Sequence, residues 1–359
     1  MNFKTSRKEA LEVLENYVEK EITNYNSKRN FDFGPSNRKN VSCLSPYITH
    51  RLITEYEVTK KVLSTHPHQK VEKYIQEIFW RVYWKGWLEL RPTVWSDFIE
   101  DLKTIEENEN YQKAINARTD IQCFNDWVQE LKENNYLHNH TRMWFASIWI
   151  FTLNLPWQKG AEFFMKYLLD GDAASNTLSW RWVAGLQTKG KHYVAQAWNI
   201  SKFTNNKYQK VELNENALPI TDTREYKIKT PEISKEDIGS DTLLFFENDL
   251  NIESLKLKKY KNIYCILISN EKRKIKLDEK VINFKKKIID DQIKRFPDAK
   301  VLEETQFEEL AEKIKKFDII YPSIGENLSF LKLIKKKKNL EYNFLVREGD
   351  EFCWQFSNK

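Results

Sequence analysis

Three short stretches of this sequence concentrate side chains that stack, bind or carry charge. In the first, Glu77, Trp80, Arg81 and Trp84 fall at i, i+3, i+4 and i+7, so on a helix they share one face. A carboxylate, a guanidinium and two indoles then line one stripe. The same spacing also suits two core indoles edged by an ordinary Glu77–Arg81 ion pair. In the second stretch Asn139, Arg142 and Met143 again fall at i, i+3 and i+4, offering an amide, a cation and a thioether together. In the third, Asp170 and Asp172 flank a glycine turn just ahead of a helix expected to begin near Ser175. A buried arginine needs a carboxylate, because an unpaired charge in an apolar core is very costly, and Asp170 is the candidate partner for Arg142. Three polar stripes in one helical core either surround a polar ligand or satisfy one another through hydrogen bonds.

The elements that must carry these stripes are helices. Apolar residues recur at helical spacing over 7–22, 48–64, 70–86, 93–104, 122–134, 140–153, 158–169 and 175–186, with breaks at Phe33-Gly34-Pro35, Arg91-Pro92, Leu155-Pro156 and Asp170-Gly171-Asp172. Of twelve tryptophans, all but Trp354 lie at or before Trp198, so the first part of the chain is built around indoles and the rest is not. Residues 206–240 are polar and read as a linker that packs loosely. Beyond it, short β-like runs at Thr242–Phe246, Ile263–Ser269, Lys300–Leu302, Asp318–Tyr321 and Tyr342–Val346 alternate with helical stretches near 281–296, 305–316 and 326–337. The expected fold class is therefore an all-α domain over 1–205 and a small α/β (Rossmann-like) domain over 241–359.

Composition narrows the function further. A formal charge of +6 on 359 residues suits contact with a polyanion such as DNA. Cys43, Cys123, Cys265 and Cys353 form no CxxC pair, which argues against a disulfide framework or a zinc site and fits a reducing cytoplasm. No stretch is long and apolar enough to span a bilayer, so a soluble cytoplasmic protein without a membrane partner is expected. Gly185 to Lys191 has the spacing of a phosphate loop, but His192 stands where a magnesium-binding hydroxyl is needed and a helix precedes it. His66 and His68, and His138 and His140, lack further ligands for a metal.

With Val41 to Tyr47 upstream, these stretches resemble the FAD-binding domain of the photolyase/cryptochrome family over residues 1 to about 205. The family's TSxLSPY loop is Val41-Ser42-Cys43-Leu44-Ser45-Pro46-Tyr47. Its ExxWR helix runs from Glu77 to Arg81, its HNxxRM helix from His138 to Met143, and its DGDxASN segment with two following tryptophans from Asp170 to Trp182. The resemblance implies FAD as cofactor. It places Ser42, Leu44, Ser45 and Tyr25 at the flavin phosphates, Arg81 against the cofactor, and the Arg142–Asp170 pair beside the ring system with Asp172 assisting. Asn176 would face flavin N5. Glu77, Trp80, Asn139, Met143 and Trp182 match the positions that contact a flipped cyclobutane pyrimidine dimer. The (6-4) photolyases have histidines where this chain has Asn139 and Met143. Trp180 and Trp157 match the two inner members of a tryptophan relay whose outer member does not align. Trp84 and Trp95 are candidates for it, and Trp144 and Trp149 read as plain core.

The α/β segment is similar to the family's antenna domain, which in full-length relatives comes before the flavin domain and here follows it. The arginines of its first strand are replaced by Glu247 and Asn248, which speaks against a second, antenna chromophore. The resemblance implies one of two functions, on a chain expected to be monomeric. In one, a light-driven carbon–carbon lyase repairs cyclobutane dimers in ultraviolet-damaged DNA, with Glu77, Asn176, Trp180 and Trp157 taking part in the chemistry. In the other, a cryptochrome-like blue-light photoreceptor binds FAD and signals through the C-terminal part.

Overall fold

A computed structural model describes residues 1–231, 233, 239–253, 255, 257–314 and 316–357. Positions 232 and 234–238 of the expected linker, and position 315 of the expected helix 305–316, lie outside the described residues. Twelve helices come first: α1 Arg7–Lys20, α2 Tyr25–Lys28, α3 Ser45–Thr49, α4 Glu55–Thr65, α5 His68–Glu89, α6 Thr93–Leu102, α7 Glu109–Ile115, α8 Gln122–Asn134, α9 Asn139–Ser147, α10 Trp157–Tyr167, α11 Ala173–Ala184 and α12 Ala197–Phe203. The starts follow local chemistry. Ser6 caps α1, Asp172 accepts from the backbone N–H groups of Ala174 and Ser175 at α11, and Thr54 with Glu57 makes a full capping box at α4.

The long helix expected over 48–64 is two helices. Between them Arg51 takes a left-handed backbone conformation (φ 48°), stabilised by ion pairs made far along the chain. After α9 the chain widens into a single π turn, Ile148–Thr152, before Pro156 ends the run.

The second part is a five-stranded, all-parallel sheet of order β3-β2-β1-β4-β5, with β1 Thr242–Phe246, β2 Asn262–Leu267, β3 Ala299–Glu303, β4 Lys316–Ile320 and β5 Glu341–Leu345. Helices α13 Glu279–Arg295, α14 Glu304–Ile314 and α15 Glu326–Lys338 make the crossovers, and α16 Glu348–Phe356 closes the chain. Every residue of β1 is buried, as a strand covered on both faces must be. Alternate residues face opposite ways. Leu244, Phe246, Phe317 and Ile319 pack with α14 and α15, whereas Leu243, Phe245, Ile263 and Cys265 join α13 and the N-terminal helices in one apolar cluster with Ala10, Leu14, Val18 and Leu52.

From Tyr208 to Lys229 the polar segment after α12 is fastened rather than loose. Tyr208 donates to Asp126 (2.7 Å), the Ile220 N–H to Ala184 O (2.9 Å) and the Lys229 N–H to Leu90 O (2.8 Å), and Arg224 forks onto Asp101 at 3.0 Å. Its polar residues are partners of the helical surface, which composition alone does not reveal.

Two contacts tie α5 to the sheet part. Gly86 lets α16 lie close, since a Cβ there would sit 2.5 Å from Ser357 Oγ. Glu89, only 3% exposed, accepts from Tyr321 Oη (2.6 Å) and from the Ile324 N–H (2.7 Å) beyond β4. Burial pushes its carboxyl up to about 7, against the opposing pull of those two donors. The folded protein thus holds a proton that the unfolded chain releases near 4.5. Stability from this group is fully present below that value and is lost as pH rises from about 4.5 through about 7, a swing of about 3 kcal/mol. Glu89→Gln should flatten the dependence across this window and melt higher than wild type at pH 8. Parallel melting curves for the two proteins between pH 5 and pH 8 would reject the assignment.

Candidate functional site

The helical part encloses a cleft of about 750 Å³. The loop Val41–Ser45 forms one wall, α5 the second, α9 the third, and the Asp170 turn with α11 the fourth. Tyr25, Ser42, Leu44, Ser45, Glu77, Trp80, Arg81, Trp84, Asn139, Arg142, Met143, Asp170, Asn176, Trp180 and Trp182 all line it. Residues separated by as much as 157 positions are therefore brought to one space. Cys43 stands in the loop with a left-handed φ of 52°, and burial pushes its thiol up, so it stays protonated.

At the centre, Arg142 Nη2 lies 2.9 Å from Asp170 Oδ2, and Ser45 Oγ donates to the same oxygen. Arg142 Nε also donates to Leu137 O (3.0 Å), and its guanidinium lies over the Tyr136 ring at 5.0 Å. Asp170 is 4% exposed; burial alone would raise its carboxyl, but Arg142, Ser45 and Arg81 outweigh that and hold it below the usual carboxylate range. It is an anion kept charged inside the protein.

Arg81 does not pair with Glu77. It crosses to Asp172 at 2.9 Å and also donates to Thr49 Oγ1, while Glu77 lies 3.4 Å from Lys73, one turn back on α5. Trp80 is 49% exposed, so it is no core residue. The plain reading of the first stripe, two core indoles and an ion pair between neighbours, is overturned: the acid and one indole face open space, and the arginine is held from across the cleft. Asn176 is fixed by its Nδ2, which donates to Ala161 O at 2.8 Å. Trp182 stacks on Tyr193, with centroids 5.9 Å apart and planes inclined by 20°.

Trp157 does not line the cleft. It is 4% exposed and stacks on Phe98 at 5.5 Å. Asp172 serves the cleft through Arg81. Two neighbours escaped the sequence reading: Thr49, which bonds both Arg81 and Asp170 O, and Tyr136, which lies beneath Arg142. Tyr136 stands two residues before His138 of the HNxxRM helix, which was the only signal on offer.

The chemistry of the lining points to a polar ligand of substantial size. Asp170 Oδ1, Arg81 Nε, Ser175 Oγ and Trp180 Nε1 are buried side-chain atoms with no hydrogen-bond partner among the described residues, and all four residues line this cleft. Orphaned buried groups are rare unless something supplies the missing bond. The volume also lies in the range of cofactor sites. By contrast, the space where β1 and β4 part, the usual ligand position of such sheets, measures about 90 Å³. There Glu247 lies with Arg273 (2.8 Å), Lys285 (3.3 Å) and Asn327 (3.2 Å) in a buried polar network. Among the described residues no cluster of His, Cys, Asp and Glu could hold a metal, and no helix is long and apolar enough to cross a membrane.

Comparison with known proteins agrees with this geometry. Residues 74–219 match the family described as the FAD binding domain of DNA photolyase. A deoxyribodipyrimidine photo-lyase from Vibrio cholerae is 24% identical over 189 residues, covering 50% of this chain and 39% of that protein. One from Agrobacterium fabrum is 28% identical over 183 residues, covering 49% and 37%. The chain thus spans about two fifths of the length of these curated relatives. A cryptochrome from Synechocystis shares the fold with a TM-score of 0.51 at 18% identity, over 57% of this chain and 44% of that one. Over residues 74–219, therefore, this chain is similar to the FAD binding domain of DNA photolyase.

Proposed function

We propose that the protein uses light and reduced FAD to split cyclobutane pyrimidine dimers in DNA. The observation that carries this reading is the convergence of Glu77, Trp80, Asn139, Met143 and Trp182, drawn from three helices, on the mouth and walls of the flavin cleft. A cleft that only sensed light would have no use for two indoles, an acid, an amide and a thioether grouped around its opening.

When bound, reduced FAD supplies a light-excited electron donor. The chain's own residues hold and orient it. The Ser42, Leu44 and Ser45 loop with Tyr25 faces the phosphates, and Arg81, anchored by Asp172, reaches in from α5. Arg142 is fixed by Asp170 and offers its charge beside the ring system. Asn176 has committed its Nδ2 to Ala161 O, which leaves its amide oxygen as an acceptor suited to an N–H of the reduced ring. At the mouth, Trp80 and Trp182 present indole faces on which an extruded dimer stacks, offsetting the few kcal/mol that flipping costs. Glu77 bonds the dimer and steadies the charge that develops on it.

The test is direct. The purified protein should be yellow and should remove dimers from ultraviolet-irradiated thymine oligonucleotides under blue light. Glu77→Ala should keep its flavin and slow repair several-fold, up to on the order of 10²-fold. Bound flavin with no loss of dimers would sink the lyase reading and leave a photoreceptor.

A further inference from the structure

Trp180 is the indole at the wall of the cleft, 2% exposed, and the structure points to where an electron taken from it is replaced. We infer that Trp180 is refilled through Trp149 and then Tyr111, a route that does not pass through Trp157. The inference rests on the flavin reading above and goes beyond it, since Trp149 carries the marks of plain core and Tyr111 belongs to no motif.

The contacts are continuous. Trp180 and Trp149 meet edge to face, with centroids 6.2 Å apart and planes at 84°, and Trp149 meets Tyr111 at 5.8 Å and 86°. Two features bring the indoles together. Trp149 lies in the π turn Ile148–Thr152, and such turns insert one extra residue and re-aim the side chains around them. Gly160 leaves room between the rings, since a Cβ there would lie 2.2 Å from Trp180 Cη2 and 3.0 Å from Trp149 Nε1.

Electrostatics set the direction. Trp180 Nε1 is buried without a hydrogen-bond partner among the described residues, so no acceptor there eases a positive charge on that ring. Trp149 Nε1 donates to Pro156 O at 2.9 Å, and a donor bonded to a carbonyl is strengthened when its ring becomes positive. Tyr111, 9% exposed, sits beside Lys159, which is paired with both Glu107 (3.2 Å) and Glu162 (3.1 Å). One cation with two carboxylates leaves a net negative surround, which favours a hole arriving at Tyr111. Trp157 is placed less well. The buried Arg181 guanidinium lies 5.9 Å from its ring centre and opposes positive charge there, and its stacking partner is Phe98, a ring too hard to oxidise to pass a hole onward.

With the oxidised cofactor bound and excited by light, Trp180 would give up one electron. Trp149 gives one electron to the Trp180 radical cation, and Tyr111 gives one to Trp149. Tyr111 then loses its phenolic proton to solvent at the half-exposed Glu107 and becomes a neutral radical. A small thiol returns one electron and one proton to the tyrosyl oxygen, and two such thiyl radicals couple to a disulfide.

The experiment uses flavin-loaded protein with dithiothreitol under blue light, read by flash absorption and by electron paramagnetic resonance. Wild type should give a neutral tyrosyl signal. Trp149→Phe should keep its flavin and slow photoreduction several-fold, Tyr111→Phe should lose the tyrosyl signal, and Trp157→Phe should retain it. Photoreduction at the wild-type rate in Trp149→Phe, or a tyrosyl signal surviving in Tyr111→Phe, overturns the route while leaving the flavin reading intact. Should Trp149→Phe fail to fold, Tyr111→Phe decides alone, because it removes only a hydroxyl. A wild-type protein that takes up no flavin overturns both readings.

Discussion

Asp170→Ala should purify without flavin and lose about 3–5 kcal/mol of stability, the cost of removing one partner from a buried ion pair. Asp170 is 4% exposed and is the anion toward which Arg142 and Ser45 both turn. Without it Arg142 keeps, among the described residues, Leu137 O and the Tyr136 face but no carboxylate. The released guanidinium would then turn toward whatever anion it can reach, and the Val41–Ser45 loop would lose its tie to the Asp170 turn. Asp170→Asn should fall between, since it keeps the shape and one acceptor but not the charge. The sign with pH follows from the lowered carboxyl: its stability is present above the ordinary carboxylate range and is lost as acid protonates it. Urea unfolding and the visible flavin band of the purified variants measure both effects. A full complement of flavin in Asp170→Ala, or a loss under about 1 kcal/mol, would show that the pair is ornamental.

Arg51→Ala should have a comparable effect where the helical part meets the sheet. Arg51 is 7% exposed and donates to Asp249 (2.8 Å) and, through both terminal nitrogens, to Asp350; Asp249 also takes Arg347 at 2.6 and 2.8 Å. Two cations and two carboxylates thus close the joint where the α3–α4 turn meets β1 and α16. Alanine leaves two anions to share Arg347, at a cost of about 3–5 kcal/mol. The backbone at position 51 is no worse off, because alanine carries the same Cβ as arginine at positive φ. Lysine should not restore the loss, since it cannot present a fork to two carboxylates. Urea unfolding would measure the loss, and limited proteolysis should cut first near α16. Resistance equal to wild type would refute the clamp.

Much of this architecture was legible because burial writes itself into residue order. Thr242–Phe246 reads as a strand from a continuous apolar run, and it is one, covered on both faces. Residues in α7 and α16 gave no such sign: Glu109–Ile115 is short and mostly polar, and α16 carries Gly349 and three acids, so its helix depends on the groove that Gly86 opens on α5. The break inside 48–64 had a local marker, Thr54 followed by Glu57, but its cause lies some two to three hundred residues away at Asp249 and Asp350. The cleft shows the same division. Residue type and helical spacing pick out Glu77, Trp80, Arg142 and Asp170. They do not show that Arg81 belongs to Asp172, because nothing in one helix records which partner crosses to it.

The apolar cluster that joins Leu243 and Phe245 to Leu14 and Leu52 makes the molecule inseparable. A protease cut in the strap after α12 would yield two fragments, each with a bare face that neither can cover alone. The tie extends to the cleft: His50 sits between the carbonyl oxygens of Glu247 (3.0 Å), just past β1, and Leu169 (3.1 Å), the residue before Asp170. Whatever loosens the sheet therefore tugs on the anion that steadies Arg142, and the colour of the protein becomes a gauge of how well its colourless half is folded.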